Sequence, residues 1–312
     1  MNFFQKLAKK RKMDYEINNY RAKKSLVHYL FLLPYGLCFS LFYIIPVVIS
    51  IIFSFTYYNV LEAPKFIGLT NYINLILADD IFLTAVKNTF VLAVITGPVG
   101  YIAAFIFAWL INELPRYLRA FTVVIFYAPS IAGGAVLTIW SIIFAGDSTS
   151  YLNALLVEAG IIEAPIQWLT NPEYMMTVII LISLWMSLGS GFLSFIAGLQ
   201  GVDKAQYEAG YVDGISNRWQ ELWYITLPNM KPMLLFGAVM AITQSFSVGP
   251  VTQTLCGFPS TDYAAHTVIN HLTDYGTVRF DMGYASAIAT ILFIAMIVSN
   301  KLVQYFLRRV GT

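Results

Sequence analysis

Six stretches of this 312-residue sequence contain no Asp, Glu, Lys or Arg: residues 25–61, 88–112, 120–146, 174–202, 232–261 and 282–300. A helix that crosses a hydrocarbon core about 30 Å thick needs about 20 mainly apolar residues, and each stretch supplies that many. Backbone amides and carbonyls have no water to pair with in lipid, so an uninterrupted apolar run of this length is satisfied only as a helix. A transmembrane β-barrel would alternate apolar and polar positions over about ten residues, and these runs do not alternate. The composition agrees, with 58% hydrophobic and 12% charged residues. The expected fold is an all-α polytopic membrane protein with six transmembrane helices.

The first stretch follows some two dozen polar residues and lacks a small-residue cleavage site, so it reads as a span and not as a cleaved signal peptide. With the N-terminus inside, all Lys and Arg except Lys65, Lys87 and Arg279 fall on the inner side, as the positive-inside rule requires. The expected organisation is a basic cytoplasmic tail (1–25), a six-helix domain (26–307) and a short cytoplasmic end (308–312), with both termini inside. Next to a span, the basic tail marks a cytoplasmic flank facing membrane lipid and not a nucleic-acid site. The first external loop ends in NYINLILADDIFLTAVK, whose apolar spacing suggests a short helix against the outer face.

Catalytic signatures are missing. The sequence has no phosphate-binding G-x-x-x-x-G-K-[ST], no H-E-x-x-H, no C-x-x-C and no G-x-S-x-G. Its two cysteines, Cys38 and Cys256, fall in different spans. His266 and His271 lack the i, i+4 spacing of a helical zinc pair and read as interfacial polar residues; no metal or cofactor is expected on this chain. The spans also carry no carboxylate, which ion-coupled carriers use. A secondary carrier and a membrane enzyme are therefore the weaker readings, and the energy source should lie on another protein.

One internal loop, residues 203–231, has room for structure of its own. Within it, EAGYVDGISNRWQELWYITLP (208–228) concentrates charge and aromatics. Tyr207, Tyr211, Val212 and Ile215 share a helical face, Asp213-Gly214 signals a turn, and a second helix carries Trp219, Leu222 and Trp223 on one side. Pro228 should end it. Two short helices joined at a glycine would present aromatic anchors to a partner's pocket, or lie at headgroup depth.

This stretch resembles the conserved cytoplasmic loop of binding-protein-dependent ABC importer permeases: Glu-Ala-Ala, three residues, Gly, about nine residues, Ile-x-Leu-Pro. Glu208, Ala209, Gly214, Ile225, Leu227 and Pro228 match; Gly210 replaces the second alanine, and ten residues precede Ile225. YLFLLPYGLCFSLFYIIPVVISIIFSF, FIGLTNYINLI, KNTFVLA and MGYASAIA further resemble the first permease of maltose-type and glycerol-phosphate-type carbohydrate importers. The resemblance implies a pore-forming subunit in the plasma membrane of a prokaryote, paired with a second, non-identical permease. It further implies two cytoplasmic ATPase subunits that carry ATP and Mg, and an external solute-binding protein. It places ATPase coupling on Glu208, Ala209, Gly210, Asp213, Gly214, Trp219, Ile225, Leu227 and Pro228.

For the substrate path, Ser183, Ser187 and Ser190 recur at helical spacing with Trp185 nearby, and Gln244, Ser245 and Ser247 interrupt the fifth apolar run. Hydroxyls, an amide and an aromatic suit a sugar, although serines also join helices in membranes. By position, Ser183, Ser187 and Ser245 resemble sugar-contacting sites of the maltose-type permeases, where Asn, Gly and Asn stand. Glycerol phosphate or a polyol is the alternative cargo.

Overall fold

The computed structural model describes residues 29–307, so the tail (1–25) and the final segment (308–312) lie outside the described residues. The chain divides between Phe53 and Ser54 into two units. The first consists of helix α1, Tyr29–Phe53, which contains a π turn at Ser40–Ile44.

The second unit begins with a short antiparallel pair, β1 (Thr56–Tyr57) and β2 (Lys65–Phe66), followed by α2 (Thr70–Leu77). Helix α3 (Asp80–Asn112) is 33 residues long, about 50 Å at 1.5 Å per residue. Asp79 caps it by accepting from the Phe82 amide at 2.8 Å. The cap starts α3 eight residues before the charge-free stretch, so residues 80–87 extend the span, and only α2 is a separate short helix.

Next come α4 (Arg116–Ala132) and α5 (Gly134–Ile143), which meet at 92°. The third apolar stretch is therefore not one straight helix. Gly133 sits at the break with φ +50°, a conformation glycine tolerates and side chains resist, and Pro129 has already removed one amide from the ladder. Among the described residues five segments are long and apolar enough to cross a membrane, and six if the bent pair is one span. Asn153, fully buried in α6 (Tyr151–Glu158), organises the following loop. Its amide donates to the carbonyls of Ala145, Asp147 and Ile166, and its oxygen accepts from the Ile166 amide and the Trp168 indole.

Two further spans are interrupted. Helix α7 (Pro172–Trp185) gives way to α8 (Ser190–Gly201) at Met186–Gly189, and α11 (Lys231–Phe246) to α12 (Gly249–Cys256) at Ser247–Val248. The loop helices α9 (Lys204–Val212) and α10 lie between α8 and α11. Helix α10 begins over Arg218–Glu221, widens to a π turn over Leu222–Thr226 and closes over Leu227–Asn229. The described residues end with α13 (Val268–Thr273) and the long α14 (Met282–Leu307).

Helix α3 runs through the middle. Its Ala104, Ala108 and Ile111 pack with Phe192, Phe195 and Leu199 of α8 and Leu234 of α11. Lipid tails are as apolar as leucine, so helices associate in a membrane through close packing at small residues. Gly191 of α8 shows this: a Cβ built on it would lie 3.5 Å from the backbone of Gly237 in α11.

Candidate functional site

The loop between α8 and α11 is built by caps and turns. Asp203 starts α9 by accepting from the Ala205 amide, and Asn217 starts α10 by accepting from the Gln220 amide. Gln220 reaches back to the Ser216 amide, so both flanks of the start are satisfied. Helix α9 ends in a Schellman turn. Gly214, at φ +93°, donates to Tyr211, and Ile215 donates to Gly210 across six residues. Only glycine reaches that φ without strain, as the turn expected at Asp213-Gly214 requires.

The same turn explains Gly210. It is buried, and a Cβ there would fall 2.6 Å from Cδ1 of Ile225 and 3.1 Å from Cδ1 of Ile215. The missing side chain lets α10 seat directly on α9. Tyr207 and Thr226 share a hydrogen bond at 3.1 Å across the same junction, and burial there raises the Tyr207 phenol above its usual value.

Pro228 does not stop the helix: α10 continues through it to Asn229. A π turn stands directly before it, with the Leu227 amide bonded to Leu222 five residues back. A π turn also winds in one residue more than an α turn.

The faces of α10 differ from the simple pattern. Leu222, Ile225 and Thr226 are buried, whereas Trp219 is 72% exposed, and Trp223 and Tyr224 are also exposed. Leu222 thus faces away from the two tryptophans. On α9, Glu208, Ala209 and Asp213 are exposed, as are Tyr211 and Val212; Leu227 and Pro228 are half-buried. The module is held by its glycine-lined inner face and offers aromatic rings and a carboxylate outward.

Its outer face is tied to the end of α3. Arg218 Nη2 lies 2.8 Å from Glu113 Oε2, and Arg218 Nη1 lies 2.8 Å from Glu221 Oε1. Partial desolvation opposes the guanidinium charge, but the two carboxylates outweigh it and hold Arg218 above its usual pKa. The rings of Trp109 and Trp219 lie 5.4 Å apart beside the pair.

About halfway along α3, a cavity of about 170 Å³ opens where the helix breaks gather. Ser183, Ser187, Gln244, Ser245 and Ser247 line it together with Thr96, Gly100 and Tyr101. Gln244 donates to the Met186 carbonyl at 3.1 Å, linking the break in α7–α8 to the break in α11–α12. Gly97 and Gly100 allow α3 to approach: Cβ atoms there would lie 3.3 Å from Ser245 Oγ and 2.9 Å from Ser187 Cβ. Ser187, in the break, donates to the Leu184 carbonyl of α7 and Ser245 to the Ile242 carbonyl of α11, while Ser183 Oγ is buried with no hydrogen-bond partner.

Two expected residues are not in this group. The break before Ser190 ends the helical periodicity, so Ser190 no longer shares a face with Ser183 and Ser187. Trp185 turns to Trp140 of α5, 5.3 Å away in an edge-to-face pair.

At the opposite end of α3 the structure assembles a polar cluster that sequence spacing did not reveal. His271 Nε2 lies 3.0 Å from Asp79 Oδ2, the Tyr284 hydroxyl donates to the same oxygen at 2.9 Å, and His266 Nε2 lies 3.3 Å from His271 Nδ1. Asn88 adds a donor to the carbonyls of Tyr263, Ala264 and His266. Burial lowers His266 to about 4 and also lowers His271. For Asp79, burial pushes the carboxyl up, but the Phe82 amide, His271 and Tyr284 outweigh it and leave it lowered. The signal could not be read from spacing, because Asp79 is 192 residues from His271 and 205 from Tyr284. No group of three residues able to hold a metal occurs among the described residues.

Comparison with known proteins places this geometry. The family described as binding-protein-dependent transport system inner membrane component matches residues 97–312. The chain is 33% identical over 286 residues, 87% of each chain, to the probable ABC transporter permease protein YesP of Bacillus subtilis (strain 168). It is 30% identical over 281 residues to the arabinooligosaccharides transport system permease protein AraP of the same organism, covering 88% of this chain and 86% of that one. The fold is similar to a bacterial ABC transporter involved in import of the acidic polysaccharide alginate, with TM-score 0.75 and 23% identity over 93% of this chain and 98% of that one. The chain belongs to the family of inner membrane components of binding-protein-dependent transport systems: it is a permease subunit of an ABC importer, a transport component and not an enzyme.

Proposed function

We propose that this permease imports a neutral carbohydrate, an oligosaccharide or a similar sugar, with α9 and α10 as the docking element for a cytoplasmic ATPase subunit. The observation that carries the docking role is the construction of the 203–231 loop. Its buried seam of Gly210, Leu222 and Ile225 makes it one solid piece, and its outward Glu208, Tyr211, Trp219 and Trp223 leave large side chains for a partner's cleft. ATP and Mg would be held by that partner.

The cavity beside α3 supports the cargo. Its polar groups are hydroxyls and an amide, with the Tyr101 ring alongside and no Lys, Arg or His in the lining. A phosphate ester would lack a counter-charge there, whereas sugar hydroxyls would pair with groups such as the partnerless Ser183 Oγ. Relatives named for arabinooligosaccharides and for lactose agree with this chemistry. At about 170 Å³ the cavity holds a fraction of an oligosaccharide, so the second permease would supply the facing wall. A solute-binding protein would deliver the sugar at the Asp79 end, and both termini would be cytoplasmic, as the distribution of Lys and Arg supports.

The test is gentle purification of the tagged chain from its native membrane, followed by mass spectrometry of what remains bound. An ATPase subunit and a second permease are expected. Recovery of the chain alone, under conditions that keep related importers assembled, would sink the docking role.

A further inference from the structure

Three sets of helices line the cavity, and they differ in how they connect to the docking loop. Helix α8 runs into α9 through Gly201–Lys204, and α10 runs into α11 through Met230. Both therefore inherit any movement of the loop through the chain itself. Helix α3, which contributes Thr96, Gly100, Tyr101 and Ala104, has no such connection. Its contacts with α8 and α11 are largely apolar, and apolar packing is non-directional and lets helices slide past one another by small steps.

We propose that Arg218 and Glu113 form a clasp that makes α3 follow the docking loop, so that movement of the loop reaches the third wall of the cavity. The inference rests on the docking role given above. Arg218 is the positioning residue: it is bonded to Glu221 within α10 and to Glu113 just beyond the last residue of α3, and it bridges 105 positions of sequence. The paired rings of Trp109, on α3, and Trp219, on α10, close the same junction. Arg119 widens the grip by donating to Asn112 Oδ1 at 2.9 Å, which brings the start of α4 to the same point.

Below the clasp, α3 is suited to carry the movement. Ala104, Ala108 and Ile111 are buried on one face, and Tyr101 donates to the Leu234 carbonyl at 3.3 Å. From Asn112 to Gly100 the helix is continuous, about 18 Å at 1.5 Å per residue, and the first interruption of its ladder is at Pro98, level with the cavity. A push at Glu113 therefore arrives where Gly100 meets Ser187 and Gly97 meets Ser245.

The experiment uses the importer complex purified with its ATPase subunits, and reads hydrogen–deuterium exchange with and without ATP plus vanadate. In the parent complex the nucleotide should change exchange both in residues 203–231 and in residues 101–114. In the pair Glu113→Gln with Arg218→Gln, the change in 203–231 should persist while that in 101–114 falls at least about five-fold, the low end of ordinary coupling factors. Glu113→Asp and Arg218→Lys, which keep the charges, should restore it, whereas a role limited to folding the loop would disturb 203–231 as well. An unaltered change in 101–114 in the Gln pair would overturn the clasp and leave the docking role standing. Absence of any change in 203–231 in the parent complex would remove the docking role, and the clasp with it.

Discussion

The two ends of α3 solve opposite problems. At the Glu113 end, the docking loop leaves its charged and aromatic groups outside: Arg218, Glu208, Trp219 and Trp223 are all exposed. At the Asp79 end, the cluster takes polar groups in, with His266 and His271 only 2% and 1% exposed. An exposed ion pair adds only about 0–1 kcal/mol to stability, so the charges at this end can be changed without unfolding the chain. A buried polar network is costly to leave half-made, so it fixes one arrangement of the chain around it. One end of the helix keeps its charges accessible, and the other buries its polar groups in one arrangement.

The sharpest way to break that contrast is His271→Ala. The substitution strips Asp79 of a partner, leaves His266 facing a void and removes a ring packed against Phe82 and Tyr275. It should destabilise the protein by about 3 kcal/mol, read as a large fall in melting temperature in detergent. A change within the scatter of surface mutants would mean that the cluster does not anchor this end.

Acid should act on the same place. Neutral tautomers satisfy the chain if His266 donates to His271 and His271 donates to Asp79, leaving His266 Nδ1 without a partner. A proton added there would be buried with no acceptor. His266 titrates near 4 when folded and near 6.5 when unfolded, so the unfolded chain binds its proton first as pH falls. His271 is lowered in the same sense. Stability from these groups is complete above about pH 6.5 and is lost through pH 4, by an amount on the order of 2–3 kcal/mol. Asp79, also lowered, adds its own loss at still lower pH as its carboxylate takes up a proton. Asp274 with its partner Arg279, stacked over Tyr275, and Asp281 are the other charges facing the cluster. Thermal melts from pH 7.5 to 4 check the slope; a flat profile in the parent, or an equal slope in His266→Gln, would contradict it.

At the docking end the effects on stability should be smaller. Gly210→Val places a branched side chain against Ile225, whose tip can shift only partly, and should cost about 1–3 kcal/mol while weakening recovery of the ATPase subunit. Glu208→Lys lies at the bottom of the scale, within about 0.5 kcal/mol of the parent, because its side chain is exposed. Its consequence should instead appear in assembly, as a loss of at least about ten-fold in co-purified ATPase. A variant that melts early, or that keeps its ATPase and its transport, would remove the distinction between the two ends.

How much of this was legible in the sequence follows the same division. The turns and helices of the 203–231 loop could be read because its parts are local. The turn at Gly214 and the matching positions at Glu208, Ile225, Leu227 and Pro228 all lie within about twenty residues. Even there, local rules erred at Pro228, which the helix passes directly after the π turn of Leu222–Thr226. The gathering of polar residues within the spans was legible in part. Ser183, Ser187, Gln244, Ser245 and Ser247 do gather at one cavity, but the expectation for Ser190 assumed an unbroken helix through Met186–Gly189.

What the sequence determined by itself is the set of apolar spans and the place of the one elaborate internal loop. Transfer of a helix into lipid depends on the summed polarity of about twenty neighbouring residues, and that sum needs no knowledge of packing. What only the tertiary structure decided is where the spans break, which residues meet across them and what the two ends of α3 hold. Those outcomes depend on the approach of backbones at Gly97, Gly100, Gly191 and Gly210, and on partners 105 to 205 residues apart. In a membrane every span is apolar, so polarity selects the spans, while shape and the few remaining hydrogen bonds select their neighbours.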